Sequence, residues 1–236
     1  MTPAKPAAQT QTQAAPVPQI EITADGSATL RSPLHGDTYH SLRGAVGEAR
    51  HVFIEAGFGA VDRDPVRVLE AGLGSGLNAW LTLHEAALTG RRVEYTAVEL
   101  HPVPADVAAR LNYTDDPRFA ALHAAPWGEW SEPAEGFRLL KLHADLAEVL
   151  AASDFSAIFD AVYWDAFAPD TQPELWTEQL FARVHAATAP GGVLVTYSSK
   201  GDVRRALRAA GFTVERLPGA LGKRHMLKAT KNDKKT

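Results

Sequence analysis

Four carboxylates each follow a short apolar run in this chain: Glu70 in VRVLE, Glu99 in VEYTAVE, Asp145 in HADLAE and Asp165 in FDAVYWD. An acid at the end of a buried strand can hold a cation, accept hydrogen bonds from hydroxyls, or take a proton from a reacting amine. Between the first two acids lies EAGLGSGLN, which puts Gly72, Gly74 and Gly76 between a strand and a helix. Glycine suits a tight turn there, where the backbone must come close to a ligand. The helix opening near Leu77 and Asn78 also presents free N–H groups to that ligand. A tight turn alone would explain these glycines, and G-x-G-x-G brings the third glycine one residue earlier than the dinucleotide fingerprint does.

Glu70 would repel a pyrophosphate, whereas it suits the positive amino or sulfonium group of S-adenosylmethionine. Glu99, ending the second strand, is placed to take both hydroxyls of a ribose, and Asp145 can reach the adenine amine. Singly, each acid reads as a solvated strand end. Together they outline one cofactor pocket built from Glu70, Gly72, Gly74, Gly76, Asn78, Glu99 and Asp145. Asp165 is the candidate catalytic residue. Methyl transfer to nitrogen needs a neutral amine with its lone pair aimed at the methyl carbon, and a carboxylate can orient the amine and take or share its proton. The alternative is that Asp165 caps the next helix or turn. Trp164, Phe167 and Trp176 can stack on a base or pack in the core.

The elements that must carry these residues alternate. Strands are expected at 66–70, 93–99, 137–142, 159–164, 193–197, 212–217 and 225–229. Helices are expected at 78–88, 101–111, 146–152, 173–187 and 202–210, and residues 112–136 read as an irregular insertion. This rhythm predicts an α/β fold: a mostly parallel, doubly wound, Rossmann-like sheet with an antiparallel edge strand where the last two strands follow without a helix. Before it, IEITADGSATL reads as a hairpin around Asp25-Gly26 and 41–57 as a helix. The domain plan is a disordered leader over 1–19, an N-terminal hairpin and helix extension over 20–60, the main domain over 61–229 and a basic tail over 230–236.

Composition narrows the function classes. The chain has 236 residues, of which 45% are apolar, enough for one packed domain. The absence of cysteine excludes disulfides, thiolate metal sites and a Cys nucleophile, and fits a reducing cytoplasm. The nine histidines form no ligand-spaced cluster, so no metal is expected. No G-x-S-x-G elbow supports a hydrolase. No apolar run reaches the roughly 18 residues of a membrane span. A net charge of -4 does not announce a nucleic-acid binder, so any phosphate footprint must be local. The candidates are Lys200, Arg204, Arg205, Arg208, Lys223 and Arg224, although three arginines on one helix also suit a solvated face.

The blocks WDAFAPDTQPELW (164–176), TYSSKGDVRRALRAAGF (196–212), GALGKRHM (219–226), SPLHGDTYHS (32–41), GAVGEARHVFIEAG (44–57) and EAGLGSGLN resemble the MnmC/MnmD tRNA methyltransferases over roughly residues 30–229. That resemblance implies a class I methyltransferase fold that uses S-adenosylmethionine to convert 5-aminomethyl-uridine, often 2-thiolated, at the tRNA wobble position into its 5-methylaminomethyl form. It implies Asp165 as the catalytic aspartate, the pocket residues named above, and an N-terminal segment carrying Tyr39 and Ser41 beside the same pocket. It further implies the stand-alone type, without the flavin-dependent oxidase part and without flavin, with the monomer as the preferred state. His225, Gln172 and Ala144 depart from the family's common Glu, Asn and Gly. The rival readings are another transferase on this fold, including an aminopropyltransferase, and a binding module for tRNA or S-adenosylmethionine without turnover.

Overall fold

A computed structural model describes residues 17–152 and 154–232; the first sixteen residues of the expected leader and the last four of the basic tail lie outside them. The chain opens with strands β1 (Gln19–Ile22) and β2 (Ala28–Arg31), paired antiparallel as a separate hairpin. Helix α1 (Ala45–Ala49) continues as a π-helical stretch, Arg50–Glu55. The main body runs β3 (Val66–Ala71), α2 (Leu77–Thr89), β4 (Val93–Glu99), α3 (Ala105–Ala108), α4 (Pro117–Ala124), β5 (Trp130–Ala134), β6 (Phe137–His143), α5 (Leu146–Ala152), β7 (Phe159–Trp164), α6 (Glu178–Ala187), β8 (Thr188–Thr196), α7 (Gly201–Ala209), β9 (Thr213–Pro218) and β10 (His225–Thr230).

Eight strands form one sheet in the order β5-β6-β4-β3-β7-β8-β10-β9. The five central strands from β6 to β8 are parallel; β5 joins β6, and β10 joins both β8 and β9, antiparallel. After β3 the chain builds outward through β4 and β6, then returns to the other side of β3 with β7. The sheet therefore reverses at β3, and in such sheets the crevice beyond the strands' C-terminal ends is where ligands bind.

Alternation along the strands sorts the core into two layers. Val68, Tyr95, Ala161 and Tyr163 face α1, the π-helical stretch, α2 and α4, whereas Leu69, Val162, Trp164 and Leu194 face α5, α6 and α7. Trp164 and Tyr163 are fully buried, each contributing about 2–3 kcal/mol of apolar burial. Helix α6 follows the same logic, with Leu180, Phe181, Val184 and Ala187 on its buried stripe and Thr177 accepting from the Leu180 amide at 3.3 Å as its cap.

Three sequence expectations change. The insertion 112–136 carries real elements: α4, opened by Asp116 accepting from the Arg118 amide at 2.9 Å with Pro117 at its first position, and β5. Their period is short because α4 buries only Phe119 and Leu122, and β5 is broken by a bulge between Ser131 and Ala134. The helix expected over 101–111 is the single turn α3, after Pro102 and Pro104. The helix expected over 173–187 divides at Thr177 into a 3₁₀ turn, Pro173–Trp176, and α6. The antiparallel edge expected from the last two strands is present: β10 inserts between β8 and β9, and β9 is the outermost strand. Among the described residues, no helix is long and apolar enough to cross a membrane, and no three His, Asp or Glu group as a metal site would.

Candidate active site

A cavity of about 240 Å³ opens at the sheet reversal. Its floor is the glycine loop after β3, and its walls come from the ends of β4, β6, β7 and β8 and from the segment 32–41 after the hairpin. Of the expected residues, Tyr39, Ser41, Gly72, Gly74, Asn78, Glu99, Asp145 and Asp165 all line it, and so does Lys223.

The glycine loop is held from both sides. Glu99 Oε2 accepts from the Gly74 amide at 2.9 Å and its Oε1 from the His101 amide at 2.7 Å, so the carboxylate ties the loop to the end of β4. Each oxygen keeps a further lone pair for a hydroxyl donor. Gly74 adopts φ +52°, and a Cβ there would meet the Tyr39 ring at 3.1 Å, so the aromatic segment lies directly on the loop. Gly76, at φ +74°, starts α2 against His123, whose Nε2 would lie 2.8 Å from an added Cβ. Gly76 thus serves packing and stays off the cavity wall. Asp145 Oδ1 accepts from the Ala147 and Glu148 amides at 2.7 and 3.1 Å, capping α5 as well as facing the cavity.

Glu70 is not where the strand-end reading puts it. Strand β3 runs one residue further, to Ala71, so Glu70 sits inside the sheet, fully buried and away from the cavity surface. It reaches the site through Asn78, whose Nδ2 donates to Glu70 Oε1 at 2.9 Å and to Asp165 Oδ2 at 2.8 Å. Burial raises the Glu70 carboxyl well above its usual range, and the nearby Asp165 adds to this against the Asn78 bond. Its part is to hold Asn78.

Asp165 stands at the tip of β7, half-buried. Desolvation, opposed by the Asn78 bond, reinforced by Glu48 and moderated by Lys223, pushes it up to about 8. The turn that follows is closed by the Thr171 and Gln172 amides donating to Ala168 O at 2.7 and 2.9 Å. Phe167 faces the cavity, 4.4 Å from His35 and 5.2 Å from Tyr39 between ring centres. Trp164 and Trp176 are core residues, the latter donating to Phe167 O at 2.8 Å. Tyr39 is held up at about 12 by its burial and then by Glu99.

The basic candidates separate. Lys200 pairs with Asp170 and Arg205 with Asp202 at the surface, Arg208 points to Val214 O at 3.4 Å, and Arg224 is exposed. Arg204 is partly buried, its Nε without a partner. Lys223 instead turns inward to pair with Glu48, a nearly buried acid of α1 that sequence reading missed because the surrounding helix is short and continues irregularly.

The wall fits a ligand rich in hydroxyl and amine groups. Asn78 Oδ1 is buried on it without a hydrogen-bond partner, and such a group is costly unless something supplies the missing bond.

Residues 118–232 match a family described as S-adenosyl-L-methionine-dependent methyltransferases. The chain is 34% identical over 230 residues to the tRNA 5-methylaminomethyl-2-thiouridine biosynthesis bifunctional protein MnmC of Azoarcus sp. strain BH72, covering 90% of this chain and 36% of the relative. It thus spans about a third of that protein's length. The crystal structure of MnmC2 from Aquifex aeolicus superposes with a TM-score of 0.78 at 28% identity, over 94% of this chain and 73% of that one. A spermidine synthase from Thermotoga maritima shares the fold, with a TM-score of 0.56 at 14% identity over 92% and 70% of the two chains.

Proposed function

We propose that this chain, which matches the S-adenosyl-L-methionine-dependent methyltransferases over residues 118–232 and resembles MnmC over 230 residues, methylates the 5-aminomethyl nitrogen of uridine, or 2-thiouridine, at the tRNA wobble position. The product is the 5-methylaminomethyl nucleoside. The observation that carries this reading is Asp165, a desolvated carboxylate at the sheet reversal, facing a cavity whose opposite wall suits the cofactor.

S-adenosylmethionine, when bound, supplies a methyl group on a positively charged sulfur. Glu99, Asp145, Asn78 and the glycine loop at Gly72 and Gly74 would hold it. Asn78 fixes Asp165 by donating to Oδ2, leaving Oδ1 for the substrate amine. The amine arrives as an ammonium and must lose a proton before its lone pair can react. A carboxylate raised to about 8 is matched to that transfer near neutral pH. His35, Tyr39 and Phe167 give the cavity mouth an aromatic face on which a base withdrawn from its stack can lie. Lys200, Arg204, Arg205 and Arg208 supply phosphate contacts where α7 begins beyond the cavity end of β8, and Arg224 adds one from the loop before β10.

The test is transfer of labelled methyl from S-adenosylmethionine to tRNA bearing 5-aminomethyl-uridine, read by nucleoside mass spectrometry. Methylation at that nitrogen supports the reading. Label on another atom, an aminopropyl adduct or no transfer refutes it.

A further inference from the structure

Glu48, Tyr197, Asp165 and Lys223 come from four separate elements and meet on one wall of the cavity. Glu48 is 7% exposed, and its Oε2 accepts from the Ser41 amide at 3.2 Å. Its Oε1 takes the Lys223 ammonium, which lies 4.9 Å from the centre of the Tyr197 ring. The Tyr197 hydroxyl donates to Ala166 O at 2.9 Å, fixing the ring beside Asp165.

A purely structural ion pair would be expected within the packed core or out on the surface. This one faces an open cavity, and its cation rides on a flexible four-carbon stem from the loop between β9 and β10. That loop contains Leu221 at φ +49° and Gly222 at φ +81°, and Arg43 Nη1 donates to Leu221 O at 3.2 Å. A lysine can leave such a place by rotating its side chain, with no change in the backbone. The group it presents there is a primary ammonium on a methylene carbon, held by a carboxylate over an aromatic face. An aminomethyl substituent on a base presents the same group.

We propose that Lys223 is a resident stand-in for the substrate: its ammonium occupies the amine subsite formed by Glu48, Tyr197 and Asp165, and an incoming primary alkylammonium displaces it. The proposal rests on the aminomethyl reading above and adds how that amine is recognised. Glu48 is the binding carboxylate and Asp165 the proton acceptor. A base whose 5-substituent carries no positive charge cannot take over the pair with Glu48, so Lys223 keeps such bases out. Selectivity is thereby set by an internal competitor as well as by cavity shape.

The subsite is tested without tRNA. The full chain and its Lys223→Met variant are melted in methylammonium chloride, with sodium chloride and tetramethylammonium chloride at equal ionic strength as controls. Methylammonium should raise the Tm of the Met variant by about 2–4 °C as the vacated subsite fills. Wild type, whose subsite is occupied, and the Lys223→Met/Glu48→Gln double variant should not respond beyond the salt controls. Should the Met variant fail to fold, Lys223→Gln replaces it. A Lys223 variant that responds no more than to sodium chloride, or a wild type that responds equally, overturns the proposal. Because the readout is binding of a small amine, it can fail while tRNA methylation succeeds, and succeed while methylation fails.

Discussion

Replacing Asp165 with Asn should stabilise the protein, by an amount that grows with pH. The carboxyl is raised from its ordinary 3.8 to about 8, mainly by desolvation. Below the lower value both folded and unfolded chains keep the proton. Between the two values the unfolded chain releases it while the folded chain retains it, so stability falls as pH rises, and above the upper value the full penalty is present. Each pKa unit corresponds to about 1.4 kcal/mol, so the whole shift would be roughly 5–6 kcal/mol. Asp165 faces an open cavity that water enters, and we take about half, ~3 kcal/mol. An amide removes this penalty and still accepts from Asn78. For a domain of this size the Asn variant should melt about 6–12 °C above wild type at pH 9, with the gap narrowing toward pH 5. Thermal melts monitored by circular dichroism every half pH unit provide the assay. A variant no more stable than wild type at pH 9, or a gap that does not change with pH, would show that Asp165 is not held against desolvation.

Glu99→Ala removes the acceptor of the Gly74 and His101 amides along with the ribose contacts, and titration calorimetry should find S-adenosylmethionine bound about tenfold or more weaker, given roughly 1.5–3 kcal/mol for each hydrogen bond to a charged group. Unchanged affinity would remove Glu99 from the pocket. Gly74→Ala must hold φ near +52° and push the Tyr39 ring, at a cost of about 1–2 kcal/mol; an unchanged melting temperature would mean that the segment 32–41 does not rest on the loop. Reversing Arg204, Arg205 and Arg224 to Glu should lower the slope of log affinity for tRNA against log salt by about 0.7–0.9 per lost phosphate contact while leaving cofactor affinity unchanged. An unaltered slope would leave these side chains as a solvated face.

The fold was legible where burial imposed a period. The strands at 66–70, 93–99 and 159–164 announce themselves as β-branched and aromatic runs; Glu99 closes the second and Asp165 follows the third. The glycine loop was readable because few other residues tolerate its backbone angles. What escaped has local causes. Strand β5, with Pro133 and a bulge, carries no clean alternation, and α4 has too few buried positions to register as a helix. Glu70 was misplaced by one residue of strand length, which moves an acid from a rim to an interior. Lys223 looked like a surface charge because its partner, Glu48, lies 175 residues away in a helix of five residues, and no local spacing reports such a pairing. His35 entered the cavity for the same reason, carried there by a hairpin whose docking depends on tertiary contacts.

The account stands most directly on what Asp165 does during methyl transfer. The measurement is single-turnover methylation of 5-aminomethyl-uridine tRNA by wild type and Asp165→Asn from pH 6 to 9, with cofactor affinity measured alongside. Because the Asn variant is expected to be the more stable fold, lost turnover cannot be assigned to unfolding. The account predicts a rate lowered by about 10²–10⁴-fold with S-adenosylmethionine affinity within a few-fold of wild type. An Asn variant that methylates at close to the wild-type rate across that pH range would contradict it.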